Sequence, residues 1–381
     1  MAGLIARILS TLGAPLRWAL VSSTIFLLYN LIYFRQMVAI DNPQWLGEFV
    51  ALACVIPLTR RPPDSLRFWE VVSAATIMVV AGLIKHNQFA LPLSVTIWLS
   101  LYNRRACAIW LVSGAVLSAV ACLFLYAAYG PAVFSEIMQY KRTMSVPTFK
   151  LGLAKTGSLA ALIIIATLSW HWQRANPRAA LLLLYAFLGV VFGIVQRLGS
   201  GVYINAHDDA LIGLVLACGA FLGLASAGAV KGPLSPWSRV ALLAVILLPI
   251  FIVTPKHIRQ TLADVRHLPA QRLVWAEMIA DVQHASSPAF CEMLSVCYWA
   301  GQPLQMDFFA YGERLKTGLD PSPLQKIIAS RAATILVVDR TPNVPPSEKR
   351  LPPPFPALID LNYAVKRTDL NGIAVMQPVR K

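Results

Sequence analysis

Between residues 16 and 254 this chain is a near-continuous series of apolar runs broken by short polar stops. A backbone inside lipid has no water to satisfy its amides, so runs of this kind fold as helices. The sequence predicts about nine spans, over residues 16–34, 44–58, 68–84, 89–102, 106–129, 157–172, 179–195, 209–228 and 239–254. The second and fourth are short and fit tilted, re-entrant or extended helices. The first is too long and too strongly flanked for a cleaved leader, and reads as an anchor. Only 13% of the residues are charged, against roughly 25% in soluble proteins. The expected fold class is a polytopic α-helical membrane protein.

From Pro255 the character changes, so the expected domains are a bundle over 1–255 and a smaller α/β domain over 256–381. Residues 271–285 and Leu324–Arg331 have helical patterns, and Ala289–Glu292 and Thr334–Asp339 read as strands. Residues 341–356 hold seven prolines and read as a loop. Tyr363–Val365 and Gly372–Met376 fit a hairpin closing around Asp369-Leu370-Asn371-Gly372. No phosphate-binding glycine loop, nucleophile elbow or Cys/His metal spacing is present. The domain therefore reads as a lid or acceptor-binding module.

The charges exclude nucleic acid as a partner. The chain has 33 basic and 18 acidic residues, a formal charge of +15, but the cations punctuate loops instead of forming one stripe. One side receives Arg7, Arg17, Arg60, Arg61, Arg67, Arg104, Arg105, Arg174, Arg178, Lys231 and Arg239. The other receives Arg35, Lys85, Arg197 and the 130–156 loop. The positive-inside bias then puts the N-terminus in the cytoplasm and the C-terminal domain outside. The 130–156 loop, with a short interfacial helix near Phe134–Tyr140 followed by Lys141, Arg142, Lys150 and Lys155, fits either a lipid-phosphate site or simple anchoring.

On this topology the chemistry-bearing residues fall on the outer side. Lys85-His86-Asn87-Gln88 sits between two apolar runs. A cation with three hydrogen-bonding groups there is costly unless it binds something polar, and phosphate suits it. Lys85 alone would read as a snorkelling side chain. Asp41 is the candidate base or the N-cap of the second span. Glu48, one helical turn inside that span, is the second candidate carboxylate, unless it lies shallow enough to be wet. Arg197 fits a phosphate clamp or an interfacial anchor. His207, Asp208 and Asp209 open the eighth span. They fit an acceptor or divalent-cation site, or a helix start whose dipole favours acid. Glu70 reads as solvated or paired with Arg67. Cys291 and Cys297, six apart, fit a disulfide in an oxidising compartment or two buried thiols. Gly189/Gly193 and Gly219/Gly223 are small-xxx-small pairs for close helix packing.

Several strings taken in order are familiar: Pro63-Asp64-Ser65-Leu66, Gly82-Leu83-Ile84-Lys85-His86-Asn87-Gln88 with Ala90-Leu91-Pro92, Gly199 through Asp209, Cys291-Glu292, Ala300-Gly301-Gln302-Pro303 and Asp307-Phe308-Phe309. Together they make the chain similar to the bacterial membrane glycosyltransferases of the GT-C fold that use polyprenyl-phosphate sugars, such as protein mannosyltransferases and the lipid A aminoarabinose transferase. The likeness covers roughly residues 18–381. It implies transfer of a sugar from a polyprenyl-phosphate donor to a glycan, lipid or protein acceptor at the outer face of a bacterial inner membrane. Membrane lipids would be partners, and no cofactor is implied beyond a divalent cation. The chain also departs from the family. Its first span matches the family's third, Asp41 matches the acid of the second outer loop, and the principal catalytic carboxylate has no counterpart. That leaves open an inactive partner subunit or lipid-glycan-binding protein. A transporter fits less well, because no internal repeat is visible.

Overall fold

The computed structural model describes residues 1–35, 43–134, 143–144, 146–199, 202–228, 234–286, 288–341, 350–369 and 371–379. It divides into two compact units. The first comprises Met1–Val133 and Val146–His257, the second Phe134–Ser145 and Ile258–Lys381.

The regular structure of the first unit, among its described residues, is helical. Its helices are α1 (Ala2–Thr11), α2 (Leu16–Tyr33), α3 (Pro43–Ala53), α4 (Val55–Thr59), α5 (Phe68–Ile84), α6 (Ala90–Tyr102) and α7 (Arg104–Tyr129). There follow α8 (Val146–Thr156), α9 (Ala160–Leu168), α10 (Trp170–Gln173), α11 (Pro177–Gln196), α12 (Asp208–Ser226) and the start of α13 (Pro236–Gln283). All nine predicted runs are helical, but among the described residues six segments are long and apolar enough to cross a membrane. These are Leu16–Tyr33, Arg104–Tyr129, Val146–Leu168, Pro177–Gln196, Ile204–Ser226 and Pro236–Gln283. Pro43–Thr59, Phe68–Ile84 and Ala90–Tyr102 are apolar but shorter.

Helix α12 is the core of this bundle: every residue from Asp208 to Ala225 is buried. A helix apolar all round must be enclosed, and small residues let its neighbours approach. A Cβ on Gly213 would come within 2.7 Å of the Ala186 backbone, and one on Gly189 within 2.8 Å of the Asp209–Ala210 backbone. Gly219 faces Ser22, and Gly223 faces Ala14 at 2.5 Å. The two glycine pairs therefore serve close packing. Helix α7 is the opposite case. Leu111, Val112, Val116, Val120, Leu123 and Phe124 are all exposed on it. An apolar surface of that size is unfavourable in water and at ease in lipid.

Glu70 is buried, not solvated. It accepts from the Arg67 backbone N–H at 2.8 Å and pairs with Arg61 Nε at 3.4 Å. The helix start supplies the first bond, and Arg61, not the Arg67 side chain, supplies the charge.

The second unit is a small α/β layer. Its elements are β1 (Ala289–Cys291), α14 (Leu294–Trp299), α15 (Phe308–Lys316), α16 (Ser322–Ala329), β2 (Ile335–Asp339), α17 (Phe355–Asn362), β3 (Tyr363–Thr368) and β4 (Ile373–Pro378). The strand order is β1-β2-β4-β3. β1 and β2 are parallel, with Cys291 beside Val337, and the other pairs are antiparallel. In the hairpin, Asp369 Oδ1 accepts from the N–H groups of Asn371 at 2.9 Å and Ile373 at 2.7 Å. Gly372 adopts φ +90°, which a side chain would disfavour. Cys291 and Cys297 are disulfide-bonded.

Two boundaries differ from the sequence reading. Pro255 does not end its helix: α13 continues from Pro236 to Gln283. A proline removes one donor and one bond, yet this helix runs through Pro249, Pro255 and Pro269 alike, each a local loss that the rest of the hydrogen-bond ladder outweighs. The proline-rich loop also yields Phe355 and Pro356 to the first turn of α17, where a missing N–H costs nothing. The proposed interfacial helix falls mostly on residues 135–140, outside the described residues, as do Asp41, Lys141 and Arg142.

Candidate functional site

Helix ends in the first unit meet in a buried polar constellation. Five glutamine and asparagine side chains tie it together. Gln44 Nε2 donates to Glu48 Oε1 at 2.7 Å and to the Asn205 carbonyl at 3.2 Å. Asn205 Nδ2 donates back to Gln44 Oε1 at 3.1 Å, and Gln88 Nε2 donates to the Gln44 carbonyl at 3.3 Å. Gln196 Nε2 reaches the Asn87 carbonyl at 3.3 Å, while Asn87 Nδ2 reaches Gln196 Oε1 at 3.4 Å. The 85–88 turn is thereby fixed to α3 on one side and to the end of α11 on the other.

Glycines set the spacing. A Cβ on Gly47 would meet Gln88 at 2.9 Å and Lys85 Cβ at 3.1 Å. One on Gly193 would meet His207 Nδ1 at 2.8 Å, and one on Gly152 would meet Arg197 Cβ at 2.7 Å. These contacts bring the 85–88 turn onto α3, His207 onto α11 and α8 onto Arg197. Lys155, on α8, donates from Nζ to the Tyr33 carbonyl at 2.5 Å and lies over the Tyr33 and Phe34 rings.

The charged groups are sorted within this frame. Glu48, Asp208, Asp209 and His207 are all buried. Glu48 lies within electrostatic range of Asp208, Asp209 and Lys85, and His207 within range of Arg197 and Lys155. Tyr185 Oη donates to Asp209 Oδ1 at 2.6 Å. Among the described residues, Glu48 Oε2, both oxygens of Asp208 and both ring nitrogens of His207 have no hydrogen-bond partner. A buried polar atom left unpaired costs about 1–3 kcal/mol, and more when charged. Several together mark a place where function opposes stability. Arg197 Nη1 donates to the Val202 carbonyl, which orients its fork.

The structure thus joins Glu48, Lys85, Asn87, Arg197, His207, Asp208 and Asp209. His86 separates from them. It is exposed and lines a cleft of about 470 Å³ between α5 and α7, walled by Met78, Leu83, Trp110 and Leu111. Asp208 and Asp209 occupy the first turn of α12, but neither side chain caps it. Asp209 turns instead to Tyr185, and Asp208 makes no hydrogen bond among the described residues, so both sit where the helix dipole favours acid without capping it. Among the described residues no group of three His, Cys, Asp or Glu is placed to hold a metal ion. Cys291 and Cys297 belong to the other unit.

No protein-family model, curated protein or solved structure matches this chain. The site must speak through its own chemistry. Sequence reasoning missed Gln44 as the hub and Tyr185 as the Asp209 donor. The signal for Gln44 was its place four residues before Glu48, and Tyr185 is a lone hydroxyl in an otherwise apolar run.

Proposed function

We propose that the chain is a multi-span glycosyltransferase of the bacterial inner membrane, acting on a polyprenyl-phosphate sugar at the outer face. One arrangement carries this reading: the 85–88 turn stands between an apolar cleft and a buried, partly unpartnered carboxylate. His86 lines the cleft, Lys85 lies in electrostatic range of Glu48, and Gln88 binds the backbone of Gln44, which in turn holds Glu48.

Each part has a role in transfer. The cleft takes the isoprenoid chain. Lys85 and Arg197 meet the phosphate, where negative charge grows as the bond to the anomeric carbon breaks, and His86 stands at the cleft where the chain joins it. The acceptor hydroxyl or amine forms the new bond to that carbon, the bonding pair leaves with the phosphate, and Glu48 takes the acceptor's proton. Asp208 offers acceptor oxygens to the incoming group. The charge bias of the loops supports an outer location for this chemistry, and the Cys291–Cys297 bond suits an oxidising compartment on the C-terminal side.

The first test is the double substitution Lys85→Ala with His86→Ala. Purified in detergent with an unchanged melting profile, the variant should lose at least a hundredfold in transfer from a polyprenyl-phosphate sugar. Full activity would remove these residues from the donor site. Retained binding of polyprenyl phosphate by wild type, with no transfer to any envelope acceptor, would favour a lipid-glycan-binding protein instead.

A further inference from the structure

The second unit contains a polar cavity of its own, about 240 Å³ in volume. It opens at the carboxyl ends of the parallel strands β1 and β2. Glu292 follows β1, and Asp339, Arg340 and Thr341 end and follow β2. Loops leaving the carboxyl ends of parallel strands diverge and leave a crevice in which ligands bind.

The walls are built, not accidental. Glu292 is only 5% exposed and accepts from the Asp339 N–H at 2.7 Å through Oε2. Asp339 Oδ1 accepts from the Thr341 N–H at 2.9 Å and its hydroxyl at 2.5 Å. Its Oδ2 makes no hydrogen bond among the described residues. Arg340 Nη2 pairs with Asp360 of α17 at 2.9 Å. Ile359 and Met376 supply an apolar wall.

This chemistry selects its ligand. Three carboxylates face the Arg340 guanidinium, and Arg350 Nε lies 4.0 Å from Glu292, so acid still outnumbers base around the cavity and an anion is disfavoured. Fixed acceptors beside planar guanidinium donors match a ring bearing several hydroxyls, each of which both donates and accepts. The apolar wall suits the ring's C–H face. Drug-sized ligands need roughly 300–1,000 Å³, so the space suits one small ring. We propose that this cavity binds a single sugar residue, that of the acceptor glycan. Assigning that sugar to the acceptor rests on the transferase reading; the binding does not.

The test uses the full chain in detergent, titrated with glucose, glucosamine and glucose 1-phosphate and followed by saturation-transfer NMR. Saturable binding of glucose or glucosamine is expected, at least tenfold tighter than glucose 1-phosphate. Asp339→Asn keeps the Oδ1 bonds of the turn and replaces Oδ2 by a donor, so it should weaken binding at least tenfold. Asp360→Asn, at a half-exposed position on α17 that cannot disturb the core, should weaken it as well. No saturable sugar binding, equal binding of the phosphate ester, or undiminished binding by both variants would overturn the proposal. Sugar binding by a chain shown to lack transfer supports the cavity and refutes the transferase reading alone.

Discussion

Glu48→Gln is expected to lower transfer by roughly 10²–10⁴-fold, the usual contribution of a positioned base, while leaving the thermal midpoint unchanged or higher. The two effects have separate causes. Gln keeps an oxygen for the bond from Gln44 Nε2, so the local frame survives. It also removes one carboxylate from a group of three that lie buried together, with Glu48 Oε2 and both Asp208 oxygens unpartnered among the described residues. Relieving such a burden stabilises a fold, by an amount on the order of 1 kcal/mol. Activity measured against melting temperature distinguishes the cases. A structural Glu48 would lose stability when substituted, and a spectator would lose neither property.

Gly189→Leu is expected to destroy the bundle. The new side chain would start within 2.8 Å of the Asp209 and Ala210 backbone, which belongs to a helix enclosed on all sides. Backbone cannot rotate away as a flexible side chain can, so α11 and α12 must separate. The cost is at least about 3 kcal/mol, the upper end for overpacking, and it falls on the pair that positions Tyr185 against Asp209. Gly3→Leu on α1, where nothing lies within 4 Å, should change stability by no more than about 0.5 kcal/mol. Folded yield and melting temperature in detergent give both results. A well-folded Gly189→Leu protein would mean that the two helices do not meet as described.

Much of the architecture was readable because lipid permits few solutions. Apolar runs in the first 254 residues became helices, and the glycine pairs marked where α11 and α12 approach their neighbours. Helix α1 escaped notice because ten residues are too few for a span and Arg7 interrupts its apolar pattern. The continuation of α13 past Pro255 was hidden because prolines at 249, 255 and 269 and the change from apolar to polar residues there read as an end, although the helix runs through all three. In the second unit, Ile335–Asp339 announced itself through β-branched residues, whereas the short helices α14 and α15 carry too few turns for a periodic signal.

The site was half legible, for a physical reason. Sequence shows which polar residues interrupt apolar runs, and burying them demands an explanation. Direction is another matter. Lys85 and His86 are adjacent, yet one lies within electrostatic range of Glu48 and the other lines the α5–α7 cleft. Asp208 and Asp209 are equally alike on paper, and only Asp209 meets a donor. These choices depend on residues more than twenty positions away, such as Tyr185 and Gln44, and no local pattern carries them.

The central claim is that the 85–88 turn grips a lipid-linked phosphate whose chain lies along α7. A polyprenyl phosphate carrying a photoreactive group on its first isoprene unit tests it directly. On illumination with the wild-type chain, label should enter residues 78–88 and 110–122 and be displaced by unlabelled polyprenyl phosphate. Label confined to other helices, or insensitive to that competitor, would contradict the account.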